Sequence, residues 1–407
     1  MVFSLVVMLP CGGKGQVMGL DMLGEKSELT IPFKFINGHI IIRVRMHNLF
    51  DVNYIFDTGA QNTVLFESKY VEFFGFKPDR QISLVGADLS TPIFADVVRR
   101  VNMEIEGTYA VVRDIIVLRE NFLKIEEAIG VDAVGIIGSD YFRNLIVHID
   151  YYHERIKFYN PKSFDKYNIK NFTKMPVEFI NGKVYLNALV ALNHPDTTNN
   201  LRLLMDTGAS LSSLINISSD TSLVLPSKVI PSVLGQGLSG PLLGYVSKIK
   251  KIQVDEFSLI NMIAYFQDDG ILSLDIEKVS RNGILGNQFL SRFEIIIDYF
   301  TQSLYFKKSK NYSKKVTFDL SGITLMATGP KLDRFKVRAV IQGSPAYNAG
   351  IRMEDEILKI GRWSTWRYTL EDLSNKLSSK VGKKIKLTIK RNQEIIKLEF
   401  VLKDMLD

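Results

Sequence analysis

A chain of 407 residues, 46% hydrophobic and 23% charged, has the composition of an ordinary globular protein and is long enough for two to four domains. Its net charge of +7 is spread out. The two lysine-rich stretches, Lys162–Lys174 and Lys307–Lys315, lack stacking aromatics and basic helical periodicity, so they read as solvated linkers and no nucleic-acid partner is expected. The single cysteine, Cys11, excludes an intrachain disulfide, and His39, His47, His148, His153 and His194 fall in no zinc-binding spacing. No metal and no cofactor is expected.

In chain order, residues 1–28 read as an N-terminal segment apart from the folded body. "MVFSLVVMLP" is too short to span a bilayer and suits the apolar core of a secretory signal, without the usual basic region before it. "VMLPC" loosely resembles a bacterial lipoprotein cleavage site, with Pro10 as a departure and Cys11 as the acylated residue. The expectation is a bacterial cell-envelope protein, periplasmic or anchored. Membrane attachment is expected only through an acylated Cys11.

From residue 29 onward short apolar runs alternate with turn signals. "HIIIRVRM" and "VYLNALVAL" are entered through Asn-Gly, and "LIVHIDYYHERIKFY" and "FEIIIDYFTQSLYF" each read as two strands around a polar turn. Helix is sparse, with "NFLKIEEAIG" (121–130) the best candidate before residue 160.

These runs belong to a duplication. "IPFKFINGHI" (31–40) returns as "MPVEFINGKV" (175–184), and "IFDTGAQNTVL" (55–65) as "LMDTGASLSSL" (204–214). "VGADLSTPIFADVV" (85–98) returns as "LGQGLSGPLLGYVS" (234–247), and "VGIIGSDYFRNLIVHIDYY" (134–152) as "NGILGNQFLSRFEIIIDYF" (282–300). Four blocks recur in order at offsets of 144 to 149 residues. The chain therefore reads as two copies of one mainly β unit, 29–160 and 175–308, joined by a linker at 161–174. A smaller α+β module follows at 316–404. Its helix is expected over "TLEDLSNKLSSK" (369–380), where Leu370, Leu373 and Leu377 are spaced along one face.

A pseudo-two-fold arrangement of the copies would bring Asp57 and Asp206 face to face. Two adjacent carboxylates share one proton, so one can activate a water while the other donates to a carbonyl oxygen. Gly59 and Gly208 would let backbone amides approach the carboxyls, and Thr58 and Thr207 would bond across the axis. Ala60 and Ala209 follow. Ile136, Ile137 and Gly138, with Ile284, Leu285 and Gly286, would pass beneath the aspartate loops as structural support. Gly86, Leu89, Ser90 and Pro92, with Gly235, Leu238, Ser239 and Pro241, suit two hairpin flaps. Asp150 and Asp298 read as matched strand-end residues. Trp363 and Trp366 suit a peptide groove or ordinary packing.

With Asp-Thr-Gly-Ala twice and the paired apolar-apolar-Gly blocks, residues 30–306 resemble retropepsin-like aspartic proteases, as two fused units. The resemblance implies an aspartic endopeptidase with Asp57 and Asp206 as the catalytic pair, monomeric because one chain holds both halves. "GSPAYNAGIRMEDEILKIG" (343–361) resembles a bacterial PDZ domain, departing from the pattern at Glu354. That resemblance implies a groove at Gly322, Ile323, Thr324 and Leu325 for the C-terminus of a peptide, which recruits substrate or regulates access. Alanine in place of serine after Asp-Thr-Gly implies a pH optimum nearer neutral than that of stomach pepsins. The residues leave a second reading open: a non-catalytic peptide-binding or scaffold protein that kept the protease fold. Both aspartates being intact favours the peptidase.

Overall fold

The computed structural model describes residues 20–85, 92–121, 123–165, 169–237, 240–267, 281–316 and 318–406. Cys11 and the signal-like stretch lie outside them, as do the hairpin-tip candidates Gly86, Leu89, Ser90, Leu238 and Ser239.

The strand His39–Met46 follows an Asn-Gly turn whose two residues both have positive φ, Asn37 at 48° and Gly38 at 81°. Asn181 (52°) and Gly182 (77°) repeat that geometry before Lys183–Ala191. Turns of this kind match the twist of the strands they join. Along His39–Met46, Arg43 and Arg45 point outward while Ile42, Val44 and Met46 are buried, so the period-2 pattern sets which face is core.

In the first unit, His39–Met46, Phe50–Phe56, Ala133–Ile137, Val64–Leu65, Val111–Leu118 and Pro92–Ile105 close into a six-stranded ring. The closing contact pairs Val44 with Ile105 and Met46 with Met103. The second unit repeats the ring with Lys183–Ala191, Asn199–Met205, Gly283–Leu285, Ser213–Asn216, Phe257–Gln267 and Gly240–Val254. Leu189 to Gln253 and Ala191 to Lys251 close it.

The units are joined by a six-stranded antiparallel sheet ordered Glu28–Pro32, Arg155–Tyr159, Ile146–Asp150, Phe293–Asp298, Ser303–Lys308, Thr173–Met175. At its centre His148 pairs with Ile296. These residues are equivalent at the 148-residue offset of the repeat, so the pseudo-two-fold axis passes between them. One continuous apolar core runs from Met22 through both units to Phe306.

The C-terminal module has strands Ile323–Thr328, Arg334–Val340, Glu356–Ile360, Lys384–Arg391 and Glu394–Val401 around its own core. Its helix, Leu370–Leu377, buries Leu370, Leu373 and Leu377 and starts at a capping box between Thr369 and Asp372. The module does not hang free. Met405 and Leu406 pack with Val316 and Phe318 against Ile230, Val246 and Ile263 of the second unit. Among the described residues no helix is long and apolar enough to cross a membrane.

Candidate functional site

Each Asp-Thr-Gly lies where a barrel strand ends beside a parallel neighbour. Phe50–Phe56 runs parallel to Ala133–Ile137, and the Asp57 amide donates to the Ile137 carbonyl at 3.0 Å. Asn199–Met205 runs parallel to Gly283–Leu285, and the Asp206 amide donates to Leu285 at 3.0 Å. Buried apolar residues precede both aspartates, which fixes the strand ends and hence the carboxyl positions.

The duplication then becomes a near-symmetric network. Asp57 Oδ1 accepts from the Gly59 amide (2.7 Å) and the Ala60 amide (3.1 Å). Asp206 Oδ1 accepts from Gly208 (2.7 Å) and Ala209 (3.1 Å). The Thr58 amide donates to Thr207 Oγ1 at 3.0 Å, and the Thr207 amide to Thr58 Oγ1 at 3.2 Å. The hydroxyls pass the bonds on, Thr58 to the Met205 carbonyl and Thr207 to the Phe56 carbonyl. A β-carbon on Gly59 would overlap the Asp206 carboxyl, and one on Gly208 the Asp57 carboxyl, so only glycine allows this approach.

The apolar-apolar-Gly blocks lie under these loops. Ser139 and Asp140 donate their amides to the Ala60 and Gln61 carbonyls, and Asn287 and Gln288 to those of Ala209 and Leu211. Gly138 and Gly286 are pressed against loop backbone where no β-carbon fits.

The two carboxyls are hydrogen-bonded to each other and each residue is 1% exposed. Burial pushes Asp57 well above the usual carboxylate range, and the charge of Asp206 pushes it further. Burial also raises Asp206, but the hydrogen bond from Asp57, the Gly208 amide and the positive charges of Arg281 and Lys183 work against it. Both carboxyls are thus raised, and a proton shared between them belongs to the pair as a unit. Two tyrosines at the repeat offset flank the pair. Tyr151 is raised by burial and then by Asp206, and Tyr299 by burial and then by Asp57.

Several contributors escape sequence reasoning. Asn287 Nδ2 donates to Thr207 O (2.6 Å) and Gly38 O (2.8 Å), while Oδ1 accepts from the Tyr151 hydroxyl at 2.6 Å. Asp140 accepts from the Thr63 amide (3.0 Å) and hydroxyl (2.8 Å). His39, buried against the Gly208 backbone, is pushed down to about 3 chiefly by that burial and is neutral. All lie inside the recurring blocks, at positions where the copies differ. The repeat alignment holds that signal, but only the contacts give it meaning.

Other candidates fall elsewhere. Pro92 pairs with Val85, Gly235 with Leu242 and Pro241 with Gln236 on two long hairpins whose tips lie outside the described residues. Asp150 and Asp298 cap turns, accepting from His153 and from Phe300 and Thr301. Trp363 and Trp366 are exposed on the C-terminal module, with Arg367 over both rings. Ile323, Thr324 and Leu325 lie on a strand beside the helix Leu370–Leu377. Among the described residues no group of three or more His, Cys, Asp or Glu is placed to hold a metal ion.

Residues 190–289 match the aspartyl protease family model, and residues 336–391 match the PDZ domain model. The chain thus carries an aspartyl-protease-like fold with a PDZ domain at its C-terminal side. Solved structures similar to it include Basic 7S globulin from soybean, with 11% identity, a TM-score of 0.42, and 71% of this chain and 97% of that one covered. An aspartic proteinase from Irpex lacteus is similar at 12% identity and a TM-score of 0.42, covering 71% of this chain and 99% of that one. No curated protein matches.

Proposed function

We propose that the chain is an aspartic endopeptidase working through Asp57 and Asp206. The observation that carries this is the hydrogen-bonded carboxyl pair, each member held by two backbone amides and built on the two copies of a repeat. In this reading the ionised member of the pair takes a proton from a water, whose oxygen attacks the peptide carbonyl carbon. The protonated member gives its proton to the carbonyl oxygen. The tetrahedral species collapses with proton delivery to the leaving nitrogen, and the pair returns to one shared proton. Neither a covalent intermediate nor a metal is required. The cross-axis threonine bonds support it by holding the carboxyls without reorganisation. The hairpins carrying Pro92 and Gly235 serve as flaps over the peptide, and the PDZ domain regulates access.

Incubation with casein or a peptide library, beside Asp57→Asn and Asp206→Asn, tests the proposal. Cleavage that survives both substitutions overturns the dyad mechanism. No cleavage between pH 4 and 8, together with no pepstatin binding, points to a non-catalytic peptide-binding protein with this fold.

A further inference from the structure

A PDZ domain takes a peptide as an added strand in the groove between a strand and a helix, and receives its terminal carboxylate on loop amides at the groove's end. Here the strand is Ile323–Thr328 and the helix Leu370–Leu377.

The carboxylate seat already holds a carboxylate. Asp319 accepts from the Ser321 hydroxyl (2.8 Å), the Ile323 amide (3.2 Å) and the Gly322 amide. These are the loop amides an incoming C-terminus would need. Asp319 is buried, which pushes it up to about 6, and a second carboxylate beside it would meet like charge.

The groove is faced by the first protease unit. Its helix Ile125–Ile129 packs along Ile323–Thr328, and Ala128 shares a cavity of about 310 Å³ with Ile323, Leu325, Leu370 and Ser374. Gly130 caps this helix at φ 74° and sits so close to Leu370 that a β-carbon there would overlap its side chain. Asn37 joins the two helices. Its Nδ2 donates to the Ile129 carbonyl at 2.7 Å, and its backbone amide bonds the Glu371 carboxylate. On their other side Ile125 and Ile129 are buried in the first unit's own core. Leu406 is buried against Ile230, Val246 and Ile263 of the second unit.

We propose that this PDZ groove is a docking surface for the chain's own helix Ile125–Ile129, and that the free C-terminus of another peptide is not its ligand. The helix leads into Ala133–Ile137, whose last carbonyl accepts the Asp57 amide. The module thereby braces the approach to one of the two aspartates, and its binding energy is spent within the chain.

Two measurements test this, and neither reads cleavage, so failure here is distinguishable from failure of the peptidase reading. The first titrates the full chain with a fluorescent decapeptide of apolar C-terminus, as free acid and as amide. The two forms should bind equally weakly, within about two-fold. A free acid binding about ten-fold tighter than its amide overturns the proposal. The second introduces Ala128→Arg, which forces a cation into the docked face. Hydrogen exchange in Leu370–Leu377 should rise about ten-fold while the inter-unit sheet stays protected. Unchanged exchange in a folded variant also overturns it. The titration uses the unaltered chain and decides the matter even if Ala128→Arg fails to fold.

Discussion

The two half-sites share a backbone and differ in what supports it. In the second, Asn287 ties Tyr151, Thr207 and Gly38 together through one side chain. At the equivalent place in the first half stands Ser139, too short for that span, and the Tyr299 hydroxyl finds no hydrogen-bond partner among the described residues. The first half instead uses Asp140 to hold Thr63, where the second has Gln288 and Ser212. After the matching Asn-Gly turns come neutral His39 in one copy and Lys183 in the other. A duplication thus preserves the strand ends that place two carboxyls, because backbone geometry needs both. The surrounding charges are free to diverge, and the positive charges of Arg281 and Lys183 act on Asp206.

The largest expected effect tests the symmetry itself. Asp57→Asn and Asp206→Asn should each lower kcat by about 10³-fold, within the range of one general acid or base. A loss confined to one of them would show that a single half carries the chemistry.

Next comes the support network. Asn287→Ser should destabilise the fold by about 2 to 3 kcal/mol in urea unfolding, since two carbonyls and a buried hydroxyl lose partners. A change below about 0.5 kcal/mol would mean that Asn287 fills space and little else.

The electrostatic asymmetry can be read from pH–rate profiles. Both aspartates are raised by burial, so the singly protonated pair persists to higher pH than ordinary carboxylates would allow. A rate maximum near pH 2 would contradict this. Their contribution to stability has the same sign: it is present below the unfolded carboxylate value of about 4 and is lost as pH rises through the folded values. Lys183→Met removes a charge that favours ionised Asp206, so the acid limb should move to higher pH. His39→Leu removes a neutral group and should leave that limb in place.

The smallest effect sharpens the comparison. Ser139→Asn in the first half should copy the second half's tie, reach Tyr299 and stabilise by about 1 kcal/mol. A destabilised variant would show that the first half has closed around the shorter side chain.

The aspartate pair was legible because the tripeptide recurs inside four ordered blocks, and a repeat of that length turns a weak motif into a geometric constraint. The leucines of the C-terminal helix were legible for a similar reason, since spacing along one face predicts which side is buried. Asn287, His39 and Tyr299 were not. Asn287 bonds Gly38, 249 residues away in sequence, and no local pattern announces such a contact. The role of Asp319 was hidden too, because a carboxylate in a loop looks the same whether it faces solvent or occupies its own chain's anion seat.

The amino-acid sequence by itself determined the duplication, the two strand ends that carry the aspartates, and the glycines that let them approach. These follow from local periodicity and from the one residue type without a β-carbon. Only the tertiary structure decided which charges surround each carboxyl and where the C-terminal module packs. Both depend on burial and on charges brought together from distant parts of the chain.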